Sequence, residues 1–328
     1  MKRKIFCQIV WLTIVSLVLV SCSSPREIAT GETVENGKIV EEPKGWFRVL
    51  IAGEDRASGL SDVLMIASWN RDTGEVWVLQ LPRDTYAAYA KQSYQKLNGA
   101  PNALGGMEQM KTFLSESLGL PIDRTVALSC DALCHAVDAL GGVEIELEQP
   151  MRYRDPTQGL LIDLPSGRHT LNGEQAEQFV RYRAGYERGD LDRMDAQKIF
   201  LAALFRRACE IHSPVTLCKL AASLLGEMET DLSVAEAMGL LPELLRLDAD
   251  RVYFVTAPGA EVTASISGAS YYVLSSVGMK KLLETHLGGV SEKFDPHGVF
   301  LHPRYGHFRS VYESDLPYRV YSASEEHH

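Results

Sequence analysis

The stretch VLMIASWNRDTGEVWVLQLPRD, residues 63–84, decides the fold of this chain. Two apolar runs, Val63–Trp69 and Glu75–Leu81, flank a group of turn-forming residues, Asn70–Gly74. Short apolar runs bounded by such residues are typical of two strands joined in a hairpin. The sequence therefore predicts a pair of antiparallel strands, and Pro82 ends the second strand because proline cannot donate to a sheet.

Strand and helix patterns alternate on both sides of this hairpin. A buried strand is predicted at Phe47–Ala52, before the hairpin. Further strands are predicted at 125–129, 143–147, 251–256 and 271–274, and helices at 107–118, 131–140, 173–180, 191–209, 215–225, 233–247 and 279–286. This alternation predicts an α/β protein with three layers, α/β/α. Because the hairpin is antiparallel, the central β-sheet should be mixed.

Composition narrows the class of protein. The chain has 328 residues, 45% of them hydrophobic and 23% charged, which is typical of a folded globular protein. There are 33 Lys and Arg against 43 Asp and Glu, a net charge of −10. An acidic balance argues against nucleic acid as a partner, because such proteins carry a basic face for phosphates. A polyanionic substrate is compatible with this charge only if arginines gather locally.

The N-terminus indicates export. Lys2-Arg3-Lys4 precedes an apolar stretch, Ile5–Val20, shorter than the roughly 20 residues of a membrane-spanning helix. Leu19-Val20-Ser21-Cys22 resembles a bacterial lipobox. We therefore expect residues 1–21 to be a lipoprotein signal peptide and residues 22–45 to be a flexible tether from lipidated Cys22. An uncleaved anchor is the alternative, and both place the protein on the extracellular face of a bacterial cell membrane.

Charged residues stand where the first three strands end. Asp55 and Arg56 follow the first strand, Asp62 precedes the second and Arg83 follows the third. Taken singly, such residues are usually solvated loop charges. If the three strands are neighbours, however, Asp55, Asp62 and Arg83 meet at one edge of the sheet, the usual ligand site of α/β folds.

A second group of charges is rich in arginine. Arg181 and Arg183 follow a predicted helix, and Arg193 and Gln197 are four residues apart on the next one, so they share a face. A guanidinium group is a planar fork of donors that fits phosphate oxygens. Several such groups facing two carboxylates suggest a divalent cation that bridges a pyrophosphate. A surface network of ion pairs is the alternative for any single arginine.

Ordered motifs of this chain resemble the LytR-CpsA-Psr family. They are Gly53-x-Asp55-Arg56, Ser61-Asp62, Leu81-Pro82-Arg83-Asp84-Thr85, Lys96-Leu97-Asn98-Gly99-Ala100, Gly105-Gly106, Val137-Asp138-Ala139-Leu140-Gly141-Gly142-Val143, Leu171-Asn172-Gly173-Glu174-Gln175-Ala176, Val180-Arg181-Tyr182-Arg183 and Gly189-Asp190-Leu191-x-Arg193-x-x-x-Gln197. The resemblance covers about residues 48–207. It implies a catalytic domain at 46–290, followed by a C-terminal extension at 291–328.

The resemblance implies a membrane-anchored transferase. Such an enzyme moves an anionic glycopolymer (teichoic acid, capsule or a similar polymer) from undecaprenyl pyrophosphate to peptidoglycan. By matching position, Asp55, Asp62 and Arg83 would be catalytic, and Asp55 and Asp62 would hold Mg²⁺ (or Mn²⁺). The residues implied in pyrophosphate binding are Arg56, Arg83, Arg181, Arg183, Arg193 and Gln197.

Some positions depart from the family pattern. Leu60 stands where many members have arginine, Val63 replaces threonine, and Asp195-Ala196 stands where a basic, glutamine-rich pair is common. Two other functions remain open from the sequence. One is a polyprenyl-pyrophosphate hydrolase, with water as the acceptor. The other is a non-catalytic protein that binds lipid-linked polymer or regulates its use.

Overall fold

The computed structural model describes residues 34–35, 38–39, 45–54, 61–89, 95–156, 160–210, 227–233, 235–236, 239–240, 247–265, 268–302 and 306–324. The predicted signal peptide, the tether's Cys22, and the site residues Asp55 and Arg56 lie outside these ranges, as does Leu60. The predicted helix at 215–225 also lies outside them, and the one at 233–247 lies mostly outside them.

The strands take the following bounds. In chain order they are β1 (Val34–Glu35), β2 (Lys38–Ile39), β3 (Trp46–Glu54), β4 (Ser61–Asn70), β5 (Glu75–Leu81), β6 (Arg124–Ser129), β7 (Val143–Leu147), β8 (Met151–Asp155), β9 (Leu160–Leu164), β10 (Gly167–Leu171), β11 (Met228–Thr230), β12 (Val252–Thr256), β13 (Gly259–Thr263), β14 (Ser270–Leu274) and β15 (Val320–Ser322).

The helices alternate with these strands. They are α1 (Ala100–Leu104), α2 (Met107–Leu118), α3 (Cys130–Ala139), α4 (Gly173–Arg181), α5 (Asp190–Glu210), α6 (Ser276–His286) and α7 (Gly306–Tyr312). Short 3-10 turns occupy Leu97–Gly99, Ala249–Arg251 and Ser291–Lys293.

A seven-stranded mixed sheet forms the centre of the fold, in the order β11-β6-β3-β4-β5-β12-β15. The predicted hairpin is confirmed, because β4 and β5 pair antiparallel from Leu64↔Leu81 to Asn70↔Glu75. Strand β3 pairs antiparallel with β4 and parallel with β6, and β5 pairs parallel with β12. The end of β3, the start of β4 and the end of β5 therefore meet at one edge of the sheet.

Side-chain alternation along the strands builds two cores, one on each face of the sheet. On one face, Leu64, Ile66 and Leu79 belong to a core shared with α1, α2 and α6. On the other face, Met65 and Val78 belong to a core shared with α5. Helices thus cover both faces, and the predicted three-layer α/β/α architecture with a mixed sheet is confirmed.

The described residues also form four two-stranded sheets: β1–β2, β7–β10, β8–β9 and β13–β14. The strands predicted at 143–147 and 271–274 are present as β7 and β14, but neither joins the central sheet. Along β7, buried Val143, Ile145 and Leu147 alternate with exposed Glu144 and Glu146. Only one face of β7 is therefore packed, and it contributes to a third core with α4 and α5.

A capping box fixes the start of α4, the helix that leads into the arginine-rich segment. The Asn172 side chain accepts a hydrogen bond from the Gln175 backbone N–H at 2.9 Å, and the Gln175 side chain accepts one from the Asn172 N–H at 3.1 Å. The two bonds satisfy donors that a helix start otherwise leaves unpaired. They set where Arg181, at the other end of α4, emerges.

The segment after Val290 packs against the rest of the chain. Phe294 and Phe300 join the core on the α1–α2–α6 face, and β15 pairs with β12 at the sheet edge. Within the described ranges, no helix has the length and apolar character needed to cross a membrane.

Leu79 offers a test of the core. It is fully buried at the middle of β5. Leu79→Ala should lower the free energy of unfolding by about 2 to 5 kcal/mol, because it removes apolar contacts and leaves a cavity. Urea denaturation measures this change. Leu161→Ala, at a side chain that is 62% exposed, is the matched control, with an expected change within about 0.5 kcal/mol. Equal losses in the two variants would contradict the layer assignment.

Candidate active site at the edge of the central sheet

The strand ends bring Asp62 and Arg83 into contact. Asp62 is the second residue of β4, and Arg83 follows β5 by two residues. Because β4 and β5 are antiparallel neighbours, both side chains lie at the same edge, and Arg83 Nη1 is 2.6 Å from Asp62 Oδ1. The predicted convergence is therefore present for these two residues. Glu54, at the end of β3, precedes Asp55 and shares this edge.

Arg83 lies among three carboxylates. Its Nε atom is 3.8 Å from Asp84 Oδ1 and 4.0 Å from Asp190 Oδ2, in addition to the Asp62 contact. Burial by itself lowers the pKa of the Arg83 guanidinium, but the hydrogen bond to Asp62 and the charges of Asp190 and Asp84 outweigh it and raise the pKa. Arg83 is thus a permanently charged group held in place by acids.

Asp190 joins Arg83 to a second arginine. Its Oδ1 atom is 2.9 Å from Arg193 Nε and 2.7 Å from Arg193 Nη2. Arg193 is only 7% exposed, so its charge is compensated locally by this carboxylate. Asp190 is a site residue that the sequence reasoning did not select. The available signal was its place three residues before Arg193 at the start of α5, which puts both on one helix face.

Gln197 lies deeper, beneath the charged groups. Its side-chain oxygen accepts a hydrogen bond from Gln80 on β5 at 2.9 Å, and its amide nitrogen donates to the Val180 carbonyl at 3.1 Å. Gln80 and Gln197 are both buried. Gln197 therefore connects β5, α4 and α5 and fixes the end of the helix that carries Arg181. Gln80 supplies the contact from the sheet, because its side chain donates to Gln197. The sequence patterns did not identify Gln80 as part of the site.

Arg181 is the last residue of α4, and Arg183 lies in the segment between α4 and α5. Arg181 is half-buried and donates to Glu177, one turn earlier, at 2.8 Å. Arg183 is exposed. The structure thus links Asp62 to Arg83 directly and Arg83 to Arg193 through Asp190. The pyrophosphate roles of all the predicted binding residues stay predictions.

Lys96 extends the charged network at its outer side. Its ammonium group is 2.8 Å from Asp84 Oδ2 and lies 5.8 Å from the centre of the Tyr271 ring. Asp84 thereby connects Lys96 to Arg83. Arg83, Arg193 and Lys96 therefore each contact at least one carboxylate.

The departure at Asp195 has a structural explanation. Asp195 Oδ1 is 2.7 Å from Lys198 Nζ, and Asp195 Oδ2 is 2.8 Å from Arg188 Nη2. Lys198 is 1% exposed, and its ammonium group also donates to the Thr256 hydroxyl and lies 4.9 Å from the centre of the Tyr321 ring. The acid at position 195 is therefore neutralised by two cations of the chain itself.

Burial and charge act in opposite directions on this pair. Burial raises the pKa of Asp195, but the charge and hydrogen bond of Lys198, with Arg188, bring it below its ordinary value. Burial lowers the pKa of Lys198, although Asp195 works against this shift. The pair links α5 to the end of β12 and to the segment before α5.

The described residues contain no group of three His, Cys, Asp or Glu side chains that could hold a metal ion. Asp62, with a side chain that is 36% exposed, supplies carboxylate oxygens at the sheet edge. This donor set is compatible with Mg²⁺, which proteins often hold through one or two carboxylates while phosphate oxygens and water fill the other positions.

Known proteins that are similar to this chain belong to one family. The LytR_cpsA_psr family matches residues 13–287. The polyisoprenyl-teichoic acid–peptidoglycan teichoic acid transferase TagU of Oceanobacillus iheyensis is 26% identical, over 76% of this chain and 78% of that protein. TagV of Bacillus subtilis, a transferase of the same description, is 24% identical, over 76% of this chain and 66% of TagV.

Solved structures share the fold. The crystal structure of Bacillus subtilis TagV has a TM-score of 0.61 at 24% identity and covers 74% of this chain and 96% of TagV. A structure of TagT bound to LIIa-WTA has a TM-score of 0.58 at 25% identity and covers 75% of this chain and 92% of TagT. The chain therefore belongs to the LytR-CpsA-Psr family, which confirms the resemblance in its motifs. It is an enzyme of the transferase type found in that family, and it takes part in cell-wall biosynthesis.

Asp190→Asn tests whether one carboxylate holds the two arginines. The substitution keeps the shape but removes the charge that Arg83 and Arg193 share, so the affinity for inorganic pyrophosphate should fall by at least about tenfold. Isothermal titration of the full chain measures the dissociation constant. Asp163→Asn is the control, since Asp163 pairs with Arg152 on the exposed β8–β9 hairpin. An unchanged constant in Asp190→Asn would show that this carboxylate does not organise the site.

Asp195→Asn tests the buried pair through its pH dependence. Near neutral pH it should lower the free energy of unfolding by up to about 3 to 5 kcal/mol, because Lys198 loses its carboxylate. The pKa of Lys198 in the folded state then lies still further below its unfolded value. The folded state therefore binds fewer protons than the unfolded state. Its free energy of unfolding then rises with pH, so the difference in stability between wild type and variant should shrink as pH approaches the unfolded pKa of lysine. Urea denaturation across this pH range measures it, with the exposed Glu313→Gln as control. A loss of unfolding free energy that does not change with pH would contradict the pairing of Asp195 with Lys198.

Proposed function

We propose that this chain transfers an anionic glycopolymer from a polyprenyl-pyrophosphate carrier to peptidoglycan, on the extracellular face of the membrane. The observation that carries the proposal is the network Asp62–Arg83–Asp190–Arg193, which sets two guanidinium groups beside a carboxylate at the edge of the sheet. Relatives named for polyisoprenyl-linked teichoic acid and peptidoglycan support it. The polymer is a teichoic acid, a capsule polymer or one of similar chemistry.

Arg83 and Arg193 would bind the pyrophosphate. Asp190 holds both groups before the substrate arrives, so little side-chain freedom is lost on binding. Guanidinium forks match phosphate oxygens in geometry and stay charged at any physiological pH. We expect Arg83 to exchange its contact with Asp62 for one with the substrate. Arg56, Arg181 and Arg183 would add to the same positive surface, and Gln197 would hold α4 and α5 at the right spacing.

In the proposed reaction, a peptidoglycan hydroxyl attacks the phosphorus that carries the first sugar of the polymer. A new P–O bond to peptidoglycan forms, and the bond between this phosphorus and the bridging oxygen of the pyrophosphate breaks. Polyprenyl phosphate leaves with the electron pair, and the hydroxyl proton passes to a carboxylate, for which Asp55 and Asp62 are the candidates. The arginines stabilise the negative charge that builds on the leaving phosphate.

Asp62, together with Asp55, would hold Mg²⁺ or Mn²⁺ in this proposal. A divalent cation bound there would neutralise charge on the pyrophosphate. Asp62 already contacts Arg83, so this carboxylate would lie between the bound cation and an arginine that we expect to bind phosphate.

We also propose that Cys22 is lipidated after removal of residues 1–21. A lipid anchor would keep the site beside a carrier whose polyprenyl chain lies in the membrane.

Asp62→Ala and Arg83→Ala should each reduce transfer by at least about a hundredfold, the loss typical of a missing group that stabilises transition-state charge. The assay follows lipid-linked polymer and peptidoglycan oligomers with purified full chain. Chelation should abolish transfer, and added Mg²⁺ should restore it. Arg152→Ala, at an exposed residue of the β8–β9 hairpin, should retain full transfer.

The same assay decides among the functions. Polyprenyl phosphate released at the same rate without peptidoglycan would identify a hydrolase instead. Unchanged attachment in both Asp62→Ala and Arg83→Ala would identify a protein that binds the lipid-linked polymer without catalysis.

A further inference from the structure

A cleft of about 500 Å³ lies beside the C-terminal half of α5. One wall is the two-stranded sheet β7–β10, another is α5, and the turn after α3 closes one end. Its charged lining residues are Glu144, Glu146, Arg168, Arg206, Arg207 and Glu210. The volume is in the range of ligand sites in proteins.

The sheet wall presents charges of both signs in register. Arg168 lies opposite Glu146 across the antiparallel pair, and Thr170 lies opposite Glu144. All four side chains are exposed, whereas Val143 and Ile145 alternate with them and are buried, and Ile145 also lines the cleft. Arg168 Nη2 is 3.3 Å from Glu146 Oε2, and both groups are well exposed, so this ion pair is weak and can exchange for ligand groups at little cost.

The helix wall holds its arginines more firmly. Arg207 Nε donates to the carbonyl of Leu140 at 3.1 Å, and Arg207 Nη1 is 3.3 Å from Glu210 Oε2. Gly141 lies beside this guanidinium, since a Cβ there would be in ordinary van der Waals contact with Arg207 Nη2, at 3.5 Å. Arg206 Nη1 donates to the carbonyl of Ala323 at 2.7 Å. Both arginines are therefore oriented by backbone carbonyls, while Ile199 and Ala203 line the space between with apolar surface.

The cleft is separate from the pyrophosphate site. Along α5, Arg206 is about 20 Å from Arg193, at 1.5 Å per residue. The cleft residues form one stripe of the helix, and Asp190, Arg193 and Gln197 form another on a different side. A ligand that engages both places must span roughly 20 Å.

We propose that this cleft binds the peptidoglycan acceptor through its peptide stems. The inference rests on the proposed function, which supplies two polymers of different charge. A teichoic acid is a polyanion, and it would be attracted by three arginines but repelled by three glutamates. Peptide stems carry both carboxylates and amines, so they complement a wall that presents both signs. The cleft thereby holds a remote part of the acceptor strand while the reacting sugar lies at the sheet edge.

The test uses a soluble disaccharide–peptide fragment of peptidoglycan and an oligomer of glycerol phosphate, each titrated into the full chain. Arg168→Ala and Glu144→Ala alter opposite charges on one exposed wall. Each should raise the dissociation constant of the disaccharide–peptide by about tenfold and leave the affinity for inorganic pyrophosphate unchanged. Arg309→Ala is the matched control, since Arg309 on α7 is exposed and pairs with Glu313, just after the helix, at 3.7 Å.

Unchanged affinity for the disaccharide–peptide in both cleft variants would overturn the proposal. Binding of the glycerol phosphate oligomer that Arg168→Ala weakens and Glu144→Ala strengthens would also overturn it, because the ligand would then be the polyanion. Failure of the proposed function gives a different pattern. Wild-type chain would neither transfer polymer nor bind pyrophosphate, and the titrations of the cleft variants would still decide what the cleft binds.

Discussion

The carboxylate of Asp190 holds two guanidinium groups, one from the sheet and one from a helix, and the site depends on this arrangement. Arg83 emerges after β5, and Arg193 lies in the first turn of α5. Without a negative charge between them, these cations would repel each other in a partly buried place. Asp190 hydrogen-bonds Arg193 and lies 4.0 Å from Arg83 Nε, so its charge attracts the start of α5 to the edge of the sheet.

The same interaction would reconcile an acidic chain with the anionic substrate that we propose. The net charge of −10 is an average over the whole chain, and it does not describe the sheet edge. There, Arg83, Arg193 and Lys96 are each held by a carboxylate. Pre-formed pairs keep the long side chains in place, and the pyrophosphate would replace some of these carboxylates. The acids thus organise the arginines rather than cancel them.

Sequence patterns predicted the parts of this structure that depend on local rules. The hairpin of β4 and β5 follows from two apolar runs around Asn70–Gly74, and the contact of Asp62 with Arg83 follows from the hairpin. The start of α4 follows from Asn172, an N-cap residue type directly before the predicted helix at 173–180. Each of these features rests on residues close in the chain or on neighbouring strands, and periodicity and turn chemistry report on such residues.

Other features depend on which helices and strands pack together. Local residue patterns do not predict such contacts between elements that are far apart in the chain. Gln80 reads as one polar residue in an apolar strand, and only its meeting with Gln197 on α5 explains it. Asp195 reads as a departure from a family pattern, and its neutralisation by Lys198 and Arg188 needs the helix and the preceding segment in place. The cleft between β7–β10 and α5 likewise arises from packing, because its walls come from elements far apart in the chain.

The most direct test of the proposed transfer is a single turnover in oxygen-18 water. Purified full chain would be mixed with lipid-linked polymer and peptidoglycan oligomers, and the phosphate that joins polymer to product would be examined by mass spectrometry. A phosphodiester to peptidoglycan that contains no oxygen-18 is expected, because the attacking oxygen comes from a sugar hydroxyl. Polymer released with a terminal phosphate that carries one oxygen-18 atom would contradict transfer, because water would then be the acceptor.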